Sequence, residues 1–202
     1  PTDDPLRVTI DPVVAPAERL RESGSLPGKS QSDIAMGLPV VPRSHPDYDA
    51  LRMANLILGQ LGLMGRLGAN VRDTLGLAYY VFSNLTSGLT FGRWGAQAGV
   101  NPENVEQAID AILGEVTRLR DELVDPDELA DAQSFMVGSL PIGLENSGSI
   151  AGTMLQIAFY DLGLDYVARI PERAQAITRE DVRTVAQKYL DPDRVAVAVV
   201  GP

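Results

Sequence analysis

The stretch VAVAVV at 195–200 is a dense β-branched run of the kind found in buried strands. It follows a long block, residues 101–190, that reads as mostly helical, in several separate helices. A strand placed there cannot stand alone, and a hairpin plus one strand is marginal by itself, so it must return to a sheet built earlier in the chain. The earlier strands are legible. In KSQSDIAMGLPVV (29–41), Ile34, Met36 and Leu38 alternate with Asp33, Ala35 and Gly37, and Pro39 and Pro42 close the run. LAYYVFS (77–83) and LTFGRWGAQAGV (89–100) flank the turn NLTSG as a hairpin, with Gly92 and Gly95 marking bulges or close backbone approach. Strands and helices are segregated, without regular βαβ alternation. The expected fold class is therefore α+β, a two-layer sandwich with a largely antiparallel sheet and helices packed on one face.

The helices carry their own boundary signals. His45-Pro46-Asp47 opens a helix over 48–61, with Leu51, Ala54, Leu58 and Leu61 on one stripe. Gly59, Gly62, Gly65 and Gly68 then predict a loop, and a short helix over about 70–75 stops at Gly76. Asn101-Pro102-Glu103, Asp125-Pro126-Asp127-Glu128 and Thr178-Arg179-Glu180-Asp181 each read as a helix start. The helix after LENSGS is expected to bury Ile150, Met154, Leu155, Ile157 and Ala158, and one over about 164–176 must accommodate Pro171. Residues 1–28, rich in Pro, Gly and charge, read as a linker or docking tail, with a short strand possible at Leu6, Val8 and Ile10. The domain itself is expected over 29–202.

Composition narrows the functional classes. The 202 residues include no cysteine and one histidine, and the net charge is −10. Disulfides, thiolate metal sites and a cysteine nucleophile are excluded. Such an acidic chain is repelled by phosphates, which argues against nucleic-acid partners. No apolar run approaches the ~20 residues that span a bilayer. The N-terminus lacks the basic and apolar regions of a signal peptide and does not begin with Met, which suggests a piece of a longer protein and leaves the compartment open. His45 cannot by itself make a catalytic zinc site, no GxSxG elbow supports a serine triad, and the glycines match neither a P-loop nor a dinucleotide fingerprint.

That leaves Arg72 and Tyr79 in VRDTLGLAYYVFS (71–83), with Tyr80 alongside. Arginine suits a helix C-terminus and tyrosine suits a strand, so each has an ordinary structural explanation. They also suit a carbonyl site: a permanently charged fork and a phenolic donor, separated by Gly76, could converge on one oxygen from helix and strand. Arg93 and Trp94 on the neighbouring strand are further candidates.

The run ANLILGQLGLMGRLGANVRDTLGLAYYVFSNLTSGLTFGRWGAQAGVNPENVEQAI (54–109), continued by IPERAQAITREDVRTVAQKYLDPDRVAVAVVGP (170–202), resembles the C-terminal, non-zinc domain of the M16 metallopeptidases, the relatives of mitochondrial processing peptidase, pitrilysin and insulin-degrading enzyme. The resemblance covers about residues 29–202 and implies an α+β sandwich, with residues 1–28 as an interdomain linker. It implies a substrate-positioning domain that is not catalytic alone, because the zinc-binding HxxEH motif is absent here. Zinc would be held by a second domain, in the same polypeptide or a partner subunit, so a dimer or hetero-oligomer closing on a peptide substrate is implied. The family's Arg/Tyr pair falls on Arg72 and Tyr79 as substrate-binding residues, with no metal ligand and no catalytic residue in this chain. The glycine stretch is similar to the glycine-rich loop of the family's non-catalytic mitochondrial subunit. The alternative is an inactive scaffold subunit of the same fold, like the core proteins of respiratory complexes.

Overall fold

A computed structural model describes residues 13–63, 65–86 and 88–202. The chain runs through β1 (Leu20–Ser25), β2 (Ser32–Val40) and helix α1 (Tyr48–Gly59). A short helix α2 (Gly65–Leu67) leads directly into a π-helical segment, Gly68–Thr74. The hairpin β3 (Ala78–Thr86) and β4 (Gly92–Val100) follows. Helices α3 (Val105–Asp121), α4 (Pro126–Gly138), α5 (Leu140–Gly143), α6 (Ser147–Phe159), α7 (Tyr166–Ala176) and α8 (Arg179–Tyr189) precede β5 (Ala196–Gly201).

One five-stranded sheet has the order β1-β5-β2-β4-β3, antiparallel except where β1 runs parallel to β5. The closing strand therefore returns to the sheet, between β1 and β2, but the buried strand expected of VAVAVV is covered on one face only, with Ala196, Ala198 and Val200 exposed. Alternation fixes which face is covered: Ile34, Met36, Leu38 and Val40 of β2, Trp94, Ala96 and Ala98 of β4, and Val197 and Val199 of β5 are buried, while Ala35, Ala196 and Ala198 are exposed. The helices lie on the covered face. Leu51, Leu58, Ile112, Leu119, Val182 and Leu190 complete one continuous core. The fold is the α+β sandwich expected.

The helix starts form as read. Asp125 and Thr178 each close a reciprocal capping box, with Glu128 and Asp181, and the Asn101 side chain accepts from the Glu103 amide. Helix α7 passes through Pro171 unbroken.

Three further expectations differ from the structure. The stretch read as linker includes a strand, β1, whose six residues LRESGS are all exposed; with neither face buried, it carries no apolar alternation to be read. The strand considered at Leu6, Val8 and Ile10 lies outside the described residues. The glycine stretch is a loop only in part, because its last residues belong to α2 and the π-helical segment. On α6 only Ile157 is buried, while Ile150, Met154, Leu155 and Phe159 are exposed. That helix is apolar on several sides, and one stripe is all its neighbours cover.

Candidate functional site at the helix-strand junction before β3

The π-helical segment Gly68–Thr74 places Arg72 immediately before β3. Its wide turn is visible in the Leu75 amide, which donates to the Asn70 carbonyl at 2.9 Å, and in the Thr74 hydroxyl, which donates to the Ala69 carbonyl at 2.7 Å. Gly76 then adopts φ +63°, a left-handed conformation natural to glycine. Its amide donates to the Arg72 carbonyl at 3.1 Å and the Leu77 amide to the Val71 carbonyl at 3.0 Å, so the helical carbonyls are capped as the chain turns into the sheet.

Tyr79 follows at once, and its position is specific. Ala78 pairs with Val100 and Tyr80 with Gly99, so Tyr79 is the extra residue of a β-bulge. A bulge leaves its extra residue out of the pairing and re-aims the side chain. Tyr79 is accordingly 85% exposed, and no described residue hydrogen-bonds to its hydroxyl. Tyr80 is engaged instead: its hydroxyl donates to Asp33 Oδ1 at 3.2 Å, and its ring packs at a tilt on Phe82, with centroids 6.1 Å apart. Burial first, and the Asp33 charge second, push the Tyr80 phenol above its ordinary range.

Arg72 is half-buried and already occupied. Nε donates to Asp73 Oδ1 at 2.8 Å and Nη2 to Asp73 Oδ2 at 3.2 Å, leaving Nη1 without a partner among the described residues. This hydrogen-bonded pair raises the Arg72 pKa and lowers that of Asp73. No hydrogen bond or ring contact joins Arg72 to Tyr79; they share the junction, each with a free donor.

Two polar ties hold the segment that carries Arg72. Arg66 Nε and Nη2 donate to the two carboxylate oxygens of Glu128 on α4, both at 2.6 Å. Asn70 Nδ2 donates at 2.7 Å to Glu115 Oε1 on α3; Glu115 is fully buried and also accepts from Arg118 Nη1 at 3.0 Å. These groups line a charged cleft of about 630 Å³ beside the junction. Sequence reasoning missed them, because Arg66 and Glu128 lie 62 positions apart and no local pattern links them.

The other candidates have structural roles. Trp94 is fully buried in the core, and Arg93 is exposed on the opposite face of β4. His45 Nδ1 accepts from the Asp47 amide at 3.1 Å, and its ring meets Tyr189 edge-on. Among the described residues no group of three His, Cys, Asp or Glu side chains is placed to hold a metal ion, so the residues present do not fit a zinc site. No described helix is long and apolar enough to cross a membrane.

Comparison with known proteins places this architecture. Residues 6–136 match the family described as the peptidase M16 inactive domain. A zinc protease of Streptomyces coelicolor is 29% identical over 175 residues, covering 85% of this chain and 37% of the relative. The β subunit of mitochondrial-processing peptidase from Bos taurus is 27% identical over 184 residues, covering 84% of this chain and 36% of that one. The chain thus spans well under half the length of these relatives. Among solved structures, the peptidase M16 inactive domain from Pseudomonas fluorescens superposes with a TM-score of 0.87 at 25% identity, over 96% of this chain and 46% of that one. Complex III2 from Candida albicans includes a chain of the same fold, with a TM-score of 0.75 at 17% identity, over 91% of this chain and 45% of that one. The chain belongs to the M16 peptidase inactive-domain family.

Proposed function

We propose that this domain positions a peptide for an M16-type zinc peptidase, offering Arg72 and Tyr79 to a substrate carbonyl. The zinc-bearing domain would lie in the same polypeptide or in a partner subunit. The observation that carries the reading is Tyr79: a bulge expels a tyrosine from the pairing of β3, leaving its phenol exposed and unpartnered beside the turn that ends the Arg72 segment. A tyrosine kept only for packing would be covered. Arg72 Nη1 supplies a permanently charged donor at the same junction. Zinc, carried elsewhere, supplies the hydrolytic chemistry; this chain's residues bind and orient. The test is hydrolysis of an unstructured peptide by the full-length protein or its complex. Arg72→Ala and Tyr79→Phe are each expected to lower kcat by about 100- to 1,000-fold, the range found on removing a donor to a developing oxyanion. Undiminished activity in both variants would overturn the assignment.

A scaffold role is the second reading, and the Arg72–Asp73 pair favours it, because that guanidinium has a carboxylate partner within the chain. The two readings separate on Asp73→Asn. Freeing Arg72 should leave or raise peptide affinity in a positioning domain, and no peptide should bind to a scaffold.

A further inference from the structure

Between α1, α5, α6 and α7 lies a cavity of about 370 Å³, away from the junction that carries Arg72 and Tyr79. In a chain with 27 acidic and 17 basic residues, its lining contains two arginines, Arg43 and Arg52, and no carboxylate. Leu144, Val167 and Ile170 supply apolar wall, and Gln156 of α6 supplies an amide with no partner among the described residues.

The two guanidinium groups are under-compensated. Arg43 is buried, its side chain 9% exposed, with its guanidinium 4.2 Å from the Tyr48 ring and 5.0 Å from that of Tyr166, whose hydroxyl also accepts from Nη2. Its nearest carboxylate, Asp49, is 3.6 Å away and is held closer, at 2.7 Å, by Arg173. One carboxylate thus serves two arginines. Arg52 is half-buried on α1 and has no ion pair or hydrogen bond among the described residues. A partly desolvated cation without a counterion is costly, and an anion entering the cavity would supply one to Arg52 and a second to Arg43, which shares Asp49.

We propose that this cavity binds a carboxylate bearing a short apolar tail. The arginine forks take the carboxylate in the planar geometry that guanidinium groups favour, and the Leu144, Val167 and Ile170 wall takes the tail. A free organic acid and the C-terminus of a peptide share this chemistry.

Calorimetric titration of the intact protein separates the sources, with hexanoate, a leucine-terminated tripeptide, the same tripeptide as its C-terminal amide, and inorganic phosphate as probes. Saturable binding of hexanoate or the free-acid tripeptide is expected, with none for the amide. Tighter binding of the tripeptide acid assigns a chain terminus, and tighter binding of hexanoate assigns a free acid. Arg52→Gln should weaken the better ligand about tenfold, as expected for loss of one charge-assisted pair, with Arg52→Lys in between. Arg52 makes no hydrogen bond or ion pair among the described residues, so both variants should fold. The proposal fails if neither carboxylate saturates below ~10 mM, if Arg52→Gln binds as the native protein does, or if phosphate competes equally with hexanoate.

Discussion

Gly59, the last residue of α1, lies directly against Ser83 of β3: a methyl group on it would strike the Ser83 backbone nitrogen and come within 2.9 Å of the Ser83 Cβ. The obstruction is backbone and cannot rotate away. Gly59→Ala should therefore destabilise the domain by about 1–3 kcal/mol, the usual cost of overpacking. Urea unfolding would show this as a lower midpoint at unchanged slope, and an unchanged midpoint would mean that helix and strand can separate.

One turn earlier, Asn55 is 1% exposed, and neither polar atom of its side chain has a partner among the described residues. Desolvating an amide without hydrogen bonds costs stability, and an apolar group of similar shape removes that cost. Asn55→Leu should raise the unfolding free energy by about 1 kcal/mol. A loss of the same size would reveal a buried partner for the amide.

Asp47 precedes α1 and accepts from Lys188 Nζ and the Tyr189 hydroxyl, both at 2.6 Å. These bonds, Lys188 first, hold its carboxyl below the ordinary aspartate range. The folded pKa is thus depressed, so the stability is present above the unfolded value of about 3.9 and is lost as pH falls through the folded value. Asp47→Asn should lower the melting temperature at pH 7, and the difference from the native protein should shrink steadily below pH ~4. A pH-independent difference would count against the linkage.

Glu128 serves twice, receiving both Arg66 nitrogens and closing the Asp125 capping box. Glu128→Ala should cost about 1–2 kcal/mol through the lost cap and pair. It should also increase amide hydrogen exchange over residues 65–74, the segment that presents Arg72, more than over α3. Uniform exchange across both regions would show that the pair does not anchor that segment.

Much of this architecture was legible because its signals are local. VAVAVV, the Asp125 and Thr178 caps and the left-handed Gly76 each depend on a few neighbouring residues, and each stands where it was read. The misread elements depend on contacts that sequence does not record. LRESGS becomes a strand only because β5 offers it an edge. The apolar residues of α6 look like core, but only the side bearing Ile157 meets the rest of the domain. At the candidate site, the spacing of Arg72 and Tyr79 was visible, but the bulge that turns Tyr79 outward is set by its offset against Gly99 and Val100 across the hairpin. The Asp73 partner of Arg72 is its immediate neighbour in the chain, a pairing within reach of the sequence alone.

The pairing of Leu20 with Ala196 also has a bearing on how the protein is made. Among the described strands β1 is the first to be synthesised, and it pairs only with β5, the last of them. Until β5 is made, β1 has no strand partner among the described residues, and the edge of β2 that will receive β5 stands open. The sheet can close only after the helices between have emerged, a long-range step of the kind that folds slowly and exposes strand edges meanwhile. β5 is the wedge between β1 and β2, so a chain cut short before residue 196 would lack that strand and leave β1 with no place in the sheet.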